Sequence, residues 1–232
     1  MSDTVDEQKS CEKPGRRGDT RRRLMLAAEQ LFGERGLHAV TLKEINAAAG
    51  QRNESALHYH FGSKQRLVQA IFADRASAID RVRVERVEAL IGSGREHDIN
   101  AILRATFEPL TELLDTEEGV RFVRFAAQAL NDPDFDLPIV AIRSGLDGIN
   151  RAYGLIIAAL GDLPPDIAIQ RQRMMIEMAL TSLALWTRRK DAAHDEAARA
   201  LFISALFDAL AGAMRAPVSA ETLAALKAAS RG

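Results

Sequence analysis

The chain has one cysteine in 232 residues, Cys11, so no disulfide can form within it. No nucleophile, base and orienting acid stand at recognisable spacing, and no glycine-rich phosphate loop is present. No apolar run approaches the roughly 20 residues that a membrane span needs. The polar, charged N-terminus lacks the hydrophobic stretch of a secretory signal. These absences set the expectation of a cytoplasmic protein without a membrane partner, and the lone thiol suits a reducing compartment. Alternating apolar and polar residues, the mark of a half-buried strand, are missing too. What remains is a chain that is 47% hydrophobic and 27% charged, ordinary for a globular protein.

The net charge of −1 hides an asymmetry. From Lys9 to Arg66 there are 12 Lys and Arg against 6 Asp and Glu, while the rest of the chain holds 19 against 26. A positive segment on a negative body implies that the N-terminal quarter meets a polyanion.

Apolar spacing predicts helices throughout, an all-α fold. Residues 1–18 read as a flexible basic arm, with "KPGRRGDTRRR" supplying Pro, Gly and five arginines across its end. A first helix starts near Asp19 or Thr20 and carries Leu24, Ala28, Leu31 and Phe32 on one face, with Gly36 as its C′ residue. Thr41 and Glu44 stand in capping-box spacing at the start of a second helix. A third fits 53–59 with Asn53 as cap, and a fourth runs from Ser63 to about residue 91. Beyond the "IGSG" break, helices are expected at about 98–115 (with a kink at Pro109), 117–130, 138–161, 165–190, 194–215 and 219–229. The expected organisation is an arm over 1–18, a compact helical unit over 19–66 and a longer helical body over 67–232.

Helix two, a tight turn and helix three make a helix-turn-helix unit, whose last helix has the width to enter the major groove of B-DNA. Arg52, Asn53, Ser55 and His58 carry groups that donate or accept hydrogen bonds, and Tyr59 and His60 have the reach for phosphate oxygens. Lys64 falls in the first turn of helix four, where free N–H groups and the helix dipole favour an anion. Glu54 either accepts from a cytosine amino group or favours the helix start electrostatically. Leu57 and Phe61, four residues apart, read as core; Tyr59 reads as contact or packing. His58 and His60 diverge by about 200° on a helix and cannot share a metal ion, so no metal or cofactor is expected.

The stretch "RRRLMLAAEQLFGERGLHAVTLKEINAAAG…ALHYHFGSKQRLV" resembles the DNA-binding domain of the tetracycline-repressor (TetR) family of transcriptional regulators, over about residues 20–72. The landmarks come in family order: "A..LF.E.G" in helix one, Thr41, "AAG" at the turn, Leu57, Phe61 and the pair Ser63–Lys64. The resemblance implies backbone contacts from Thr41 and Lys43, DNA contacts from His58, Tyr59 and His60, and a phosphate on Lys64. This sequence has one residue more than the commonest family pattern between Gly50 and the recognition helix. Either the turn bulges or helix three starts differently, which leaves the roles of Gln51 and Arg52 open.

In the body, "DPDFD" at 132–136 lacks the glycine and glutamate of a calcium loop and reads as a solvated turn. Trp186 and the methionines 174, 175 and 178 read as core or interface. Phe107, Leu110, Phe122, Phe125, Tyr153, Met175 and Met178 are candidates to line a cavity, with Gln128 as a polar handle. The resemblance implies that such a cavity takes a small-molecule effector that changes the spacing of two DNA-binding heads. It also implies a homodimer through the helices near 165–190 and 194–215, using Leu180, Leu183, Ala184, Trp186, Thr187, Leu201, Ala205, Leu206, Ala209 and Leu210, and hence a palindromic operator. The expected function is a ligand-responsive repressor. Rival readings are a small-molecule-binding module whose basic end meets RNA, and an all-α enzyme.

Overall fold

A computed structural model describes residues 14–53, 55–135, 140–141, 143–161, 163–189 and 195–230, and among these there is no strand. Cys11, Glu54 and Asp136 lie outside the described residues.

The first helix, α1, spans Pro14–Arg35, so the stretch from 14 to 18 is helix rather than arm. Proline tolerates this place because its missing N–H is one that a helix start leaves unpaired anyway. Gly36, at φ +86°, donates its N–H to the Phe32 carbonyl and ends the helix. α2 covers Leu42–Ala48, α3 Ala56–Phe61 and α4 Lys64–Gly92. The capping box forms as the spacing predicts. Thr41 Oγ1 accepts from Glu44 N–H, and the Glu44 carboxylate accepts from Thr41 N–H. Ser63 caps α4 by accepting from Arg66 N–H.

The body comprises α5 (Ile99–Glu112), a 3₁₀ turn at Leu113–Asp115, α6 (Glu117–Leu130), α7 (Asp147–Ala159), α8 (Pro165–Trp186), α9 (Glu196–Arg215) and α10 (Ala220–Ala229). Pro109 stays inside α5. Within the span expected over 138–161, residues 140, 141 and 143 are helical, and α7 follows from Asp147 after a turn in which Gly145 has φ +64°.

α1 packs against α2, α3 and α4 on one side and along α6 on another. α4 continues down against α5 and α7, α6 packs on α8, and α9 closes against α8 and α5. One hydrophobic core runs through both parts, from Leu24, Phe32 and Leu57 to Phe125, Leu183 and Leu210. The division expected at residues 66 and 67 therefore crosses the continuous helix α4.

α9 departs from the sequence expectation. By length and composition alone it is apolar enough to cross a membrane, and little of it is buried. Leu206 and Leu210 face the core, whereas Leu201, Ala205 and Ala209 are exposed. On α8, Leu180, Leu183, Ala184 and Trp186 are buried within the chain instead of forming an outer face. Trp186 stacks on Phe202 of α9 at 4.5 Å, and Thr187 receives a hydrogen bond from Arg124 of α6. The outward side of α8 carries Met174 and Leu185.

Candidate nucleic-acid interface

The extra residue before the recognition helix is absorbed in the turn. Asn53 does not cap a helix over 53–59. Its Oδ1 accepts from Ser55 N–H at 2.9 Å and its carbonyl from Ala56 N–H at 3.1 Å, so α3 starts only at Ala56. Gln51 faces back, its N–H donating to the Asn46 carbonyl and its side chain to that of Ala49. Arg52, Asn53 and Ser55 stand exposed in this turn.

α3 is two-faced. Leu57 is fully buried and Phe61 nearly so, and these two seat the helix on the core. On the other side His58 is exposed and Tyr59 is 62% exposed, a large aromatic left in solvent. His60 is half-buried and meets the Tyr59 ring edge-on at 5.2 Å. The packing alternative for Tyr59 thus accounts for little of its surface. Lys43 is exposed in the first turn of α2. Thr41 is exposed as well, but its hydroxyl is taken up on both sides by Glu44.

The Lys64 ammonium is not extended from the start of α4. It donates to the Val40 carbonyl at 2.7 Å and lies over the Phe32 ring, 5.6 Å from its centre. Burial holds its pKa below the ordinary value. The side chain is aimed inward by the short path from the first turn of α4 to the turn that ends at Thr41. A cation that sequence spacing did not single out, Arg21 of α1, lies over the outer ring of Phe61 at 5.2 Å, beside the C-terminal end of α3.

A network of charges joins this head to the body. Glu29 of α1 is buried, and one of its carboxylate oxygens accepts from Arg75 Nε and Nη2 at 3.1 and 2.9 Å. Arg75 of α4 also pairs with Glu118 of α6. Burial pushes the Glu29 carboxyl above its ordinary value despite Arg75. On the next turn of the contact Phe32 stacks with Phe125 of α6 at 6.2 Å.

The residues expected to line a ligand cavity divide. Phe107, Leu110, Phe122 and Tyr153 surround a void of about 30 Å³ together with Phe72, Ile79 and Arg83. Phe125 belongs instead to the head–body contact. Gln128 lies under the α1–α2 turn, where a side chain on Gly36 would come within 3.4 Å of its Oε1. Met175 is buried and Met178 half-buried in the core outside that void. Charge pattern concealed the polar part of the wall. Asp80 and Arg83 sit in "DRVRVER", which reads as a solvated helix face, yet both are buried. Asp80 accepts from the N–H groups of Gly148 and Ile149, both at 2.8 Å, and so pins the start of α7 to α4.

A helix-turn-helix with an outward third helix, carried by an all-helical body, defines the class of the protein. Residues 24–71 match the sequence model described as bacterial regulatory proteins of the tetR family. A 107-residue stretch is 34% identical to the HTH-type transcriptional repressor BepR of Brucella suis biovar 1 (strain 1330). It covers 45% of this chain and 47% of that repressor, about half the length of each. The fold as a whole is similar to that of a tetR family transcription regulator from Shewanella sp. PV-4, with TM-score 0.54 and 18% identity over 82% of this chain and 97% of that one. It is likewise similar to the fatty acid degradation regulator FadR from Bacillus halodurans, with TM-score 0.54 and 16% identity over 85% and 99% of the two chains.

Proposed function

We propose that this chain is a transcriptional repressor that binds a palindromic operator as a homodimer and lets go when a small molecule enters its body. The observation that carries the reading is the exposed side of α3, where His58 and Tyr59 point away from a core that holds Leu57 and Phe61. Such a helix presents hydrogen-bonding groups at the width of a major groove. Arg52, Asn53 and Ser55 extend the readable surface from the turn. Thr41, Lys43, His60 and Arg21 flank it at positions suited to the strands, and α4 offers the N–H groups of its first turn. Lys64 acts from behind, holding the turn that orients α2.

Release follows from linkage. The void of about 30 Å³ has room for one water, far less than the hundreds of Å³ that a drug-sized molecule fills. An effector seated there parts the helices around it. α6 lines the void with Phe122 and Ala126, holds α1 through Phe125 and holds Arg75 of α4 through Glu118. α4 lines it with Ile79 and Arg83 and begins at the head. An effector that favours the parted arrangement by 1–3 kcal/mol weakens operator binding about 5–150-fold.

The test is binding to selected palindromic duplexes, random duplex DNA and single-stranded RNA across salt concentrations. We expect tight, salt-dependent binding to a palindrome and weaker binding to the other two. Equal affinity for all three polymers defeats the repressor reading and favours a general polyanion binder. In the same assay His58→Ala should reduce the preference between palindromic and random duplex by about tenfold, in line with the loss of one base contact.

A further inference from the structure

The walls of the void are apolar except for two side chains, Arg83 and Tyr153, and none of the described lining side chains is acidic. Arg83 is only 4% exposed. Its Nε donates to the Thr106 carbonyl at 2.7 Å, and its Nη1 stands 3.6 Å from Asp80, beyond hydrogen-bonding distance. Asp80 is already held by two backbone N–H groups of α7. The Tyr153 hydroxyl is buried and has no hydrogen-bond partner. A buried hydroxyl without a partner forfeits the interactions it would have with water. Burial accordingly pushes the Arg83 guanidinium below and the Tyr153 phenol above their ordinary values. The Tyr153 hydroxyl thus lacks an acceptor, and the Arg83 guanidinium lines the same void.

We propose that the effector is an apolar molecule bearing a single carboxylate, bound with that carboxylate on Arg83 and Tyr153 and its apolar part among Phe107, Phe122 and Ile176. One guanidinium and one hydroxyl match a monoanion. A dianionic phosphate ester needs more donors, and the N–H groups at the start of α7 that would serve it are occupied by Asp80. A cationic effector would bring like charge to Arg83 in a site without an acid to receive it. The inference rests on the ligand-responsive reading above and adds the chemistry of the ligand.

The test is calorimetry on the full chain with decanoate, decan-1-ol and decyltrimethylammonium, three probes that share one apolar body. A rigid pair, 2-naphthoate and 2-naphthol, accompanies them. We expect at least one carboxylate to bind tenfold or more tighter than its neutral counterpart, since hydrogen bonds to charged groups are the stronger kind, and the cation not to bind. Arg83→Met leaves Asp80 without a counter-charge and endangers folding, so the decisive variant is Tyr153→Phe. It removes a hydroxyl that no protein group uses. It should weaken carboxylate binding about tenfold, leave the neutral probe unchanged and keep the melting temperature of the wild type. Binding by neither carboxylate, equal affinity for the alcohol or the cation, or carboxylate affinity indifferent to Tyr153→Phe overturns the inference. A carboxylate that binds through Tyr153 without changing operator affinity supports the inference and defeats the release reading. Operator release by a neutral or cationic compound seated in this void does the opposite.

Discussion

Glu44 shows how much a single side chain settles at the start of α2. Its carboxylate accepts from the backbone N–H and the hydroxyl of Thr41 and pairs with Arg35 at 2.8 Å. The backbone hydrogen bond from Thr41 is the first cause that lowers its pKa, followed by the Thr41 hydroxyl and Arg35, to about 2 from an ordinary 4.5. The unfolded chain then holds more protons on this group than the folded chain between those two values. The stabilisation is present above about pH 4.5 and is lost as pH falls toward 2. We expect the Glu44 side-chain carboxyl resonance to titrate with a midpoint near 2 in the folded protein. A midpoint at the ordinary value would show that the capping box does not form. Glu29 opposes this trend, since burial raises its pKa and protonation on acidification relieves that cost. The acid limb of stability is therefore shallower than Glu44 alone would make it.

At the scale of elements, α4 and α7 approach so closely that only glycine fits between them. A Cβ on Gly148 would lie 2.7 Å from the Asp80 carbonyl oxygen and 2.8 Å from Arg83 Cβ. Neither neighbour is the far end of a flexible chain, so Gly148→Ala should push α7 off α4 and lengthen the hydrogen bonds to Asp80. Overpacking of this kind costs about 1–3 kcal/mol, a fall of roughly 2–12 °C in melting temperature for a chain of this size. An unchanged melting temperature would reject the close approach. Nothing in the sequence around Gly148 signals that contact, because the clash is with a helix about 65 residues away. The same holds for Asp80, Arg83 and the Glu29–Arg75–Glu118 network, whose charges look solvated until the helices are packed. Local signals were readable where partners are close in sequence, as with the Thr41–Glu44 box, Gly36 and the Ser63 cap. The start of α3 was not, because Asn53 serves a turn as readily as a helix cap. Lys64 shows the same limit. Its place at the head of α4 was legible, but its partner, the Val40 carbonyl, lies 24 positions back in the chain.

At the scale of the whole molecule, the proposed homodimer would meet on the exposed sides of α8 and α9. Leu201 is 72% exposed, Met174 63% and Leu185 57%, and α9 adds Ala205 and Ala209 beside them. Apolar residues gathered in this way mark an association surface, and a surface shared by two identical chains makes a two-fold dimer. A two-fold dimer places two α3 helices in symmetric half-sites, which a single short helix needs for useful specificity. Leu201→Glu, and Leu185→Glu as an independent change, put a charge at the expected centre of that surface. Both positions are largely exposed in the single chain, so each variant should keep its helical content. We expect wild-type protein to sediment as a dimer at micromolar concentration and both variants to shift toward monomer. Their affinity for a palindrome should then fall by 100-fold or more, while half-site binding by each chain persists. A wild type that sediments as a monomer, or variants that stay dimeric with full palindrome affinity, would place the dimer elsewhere and leave the open face of α9 to another partner.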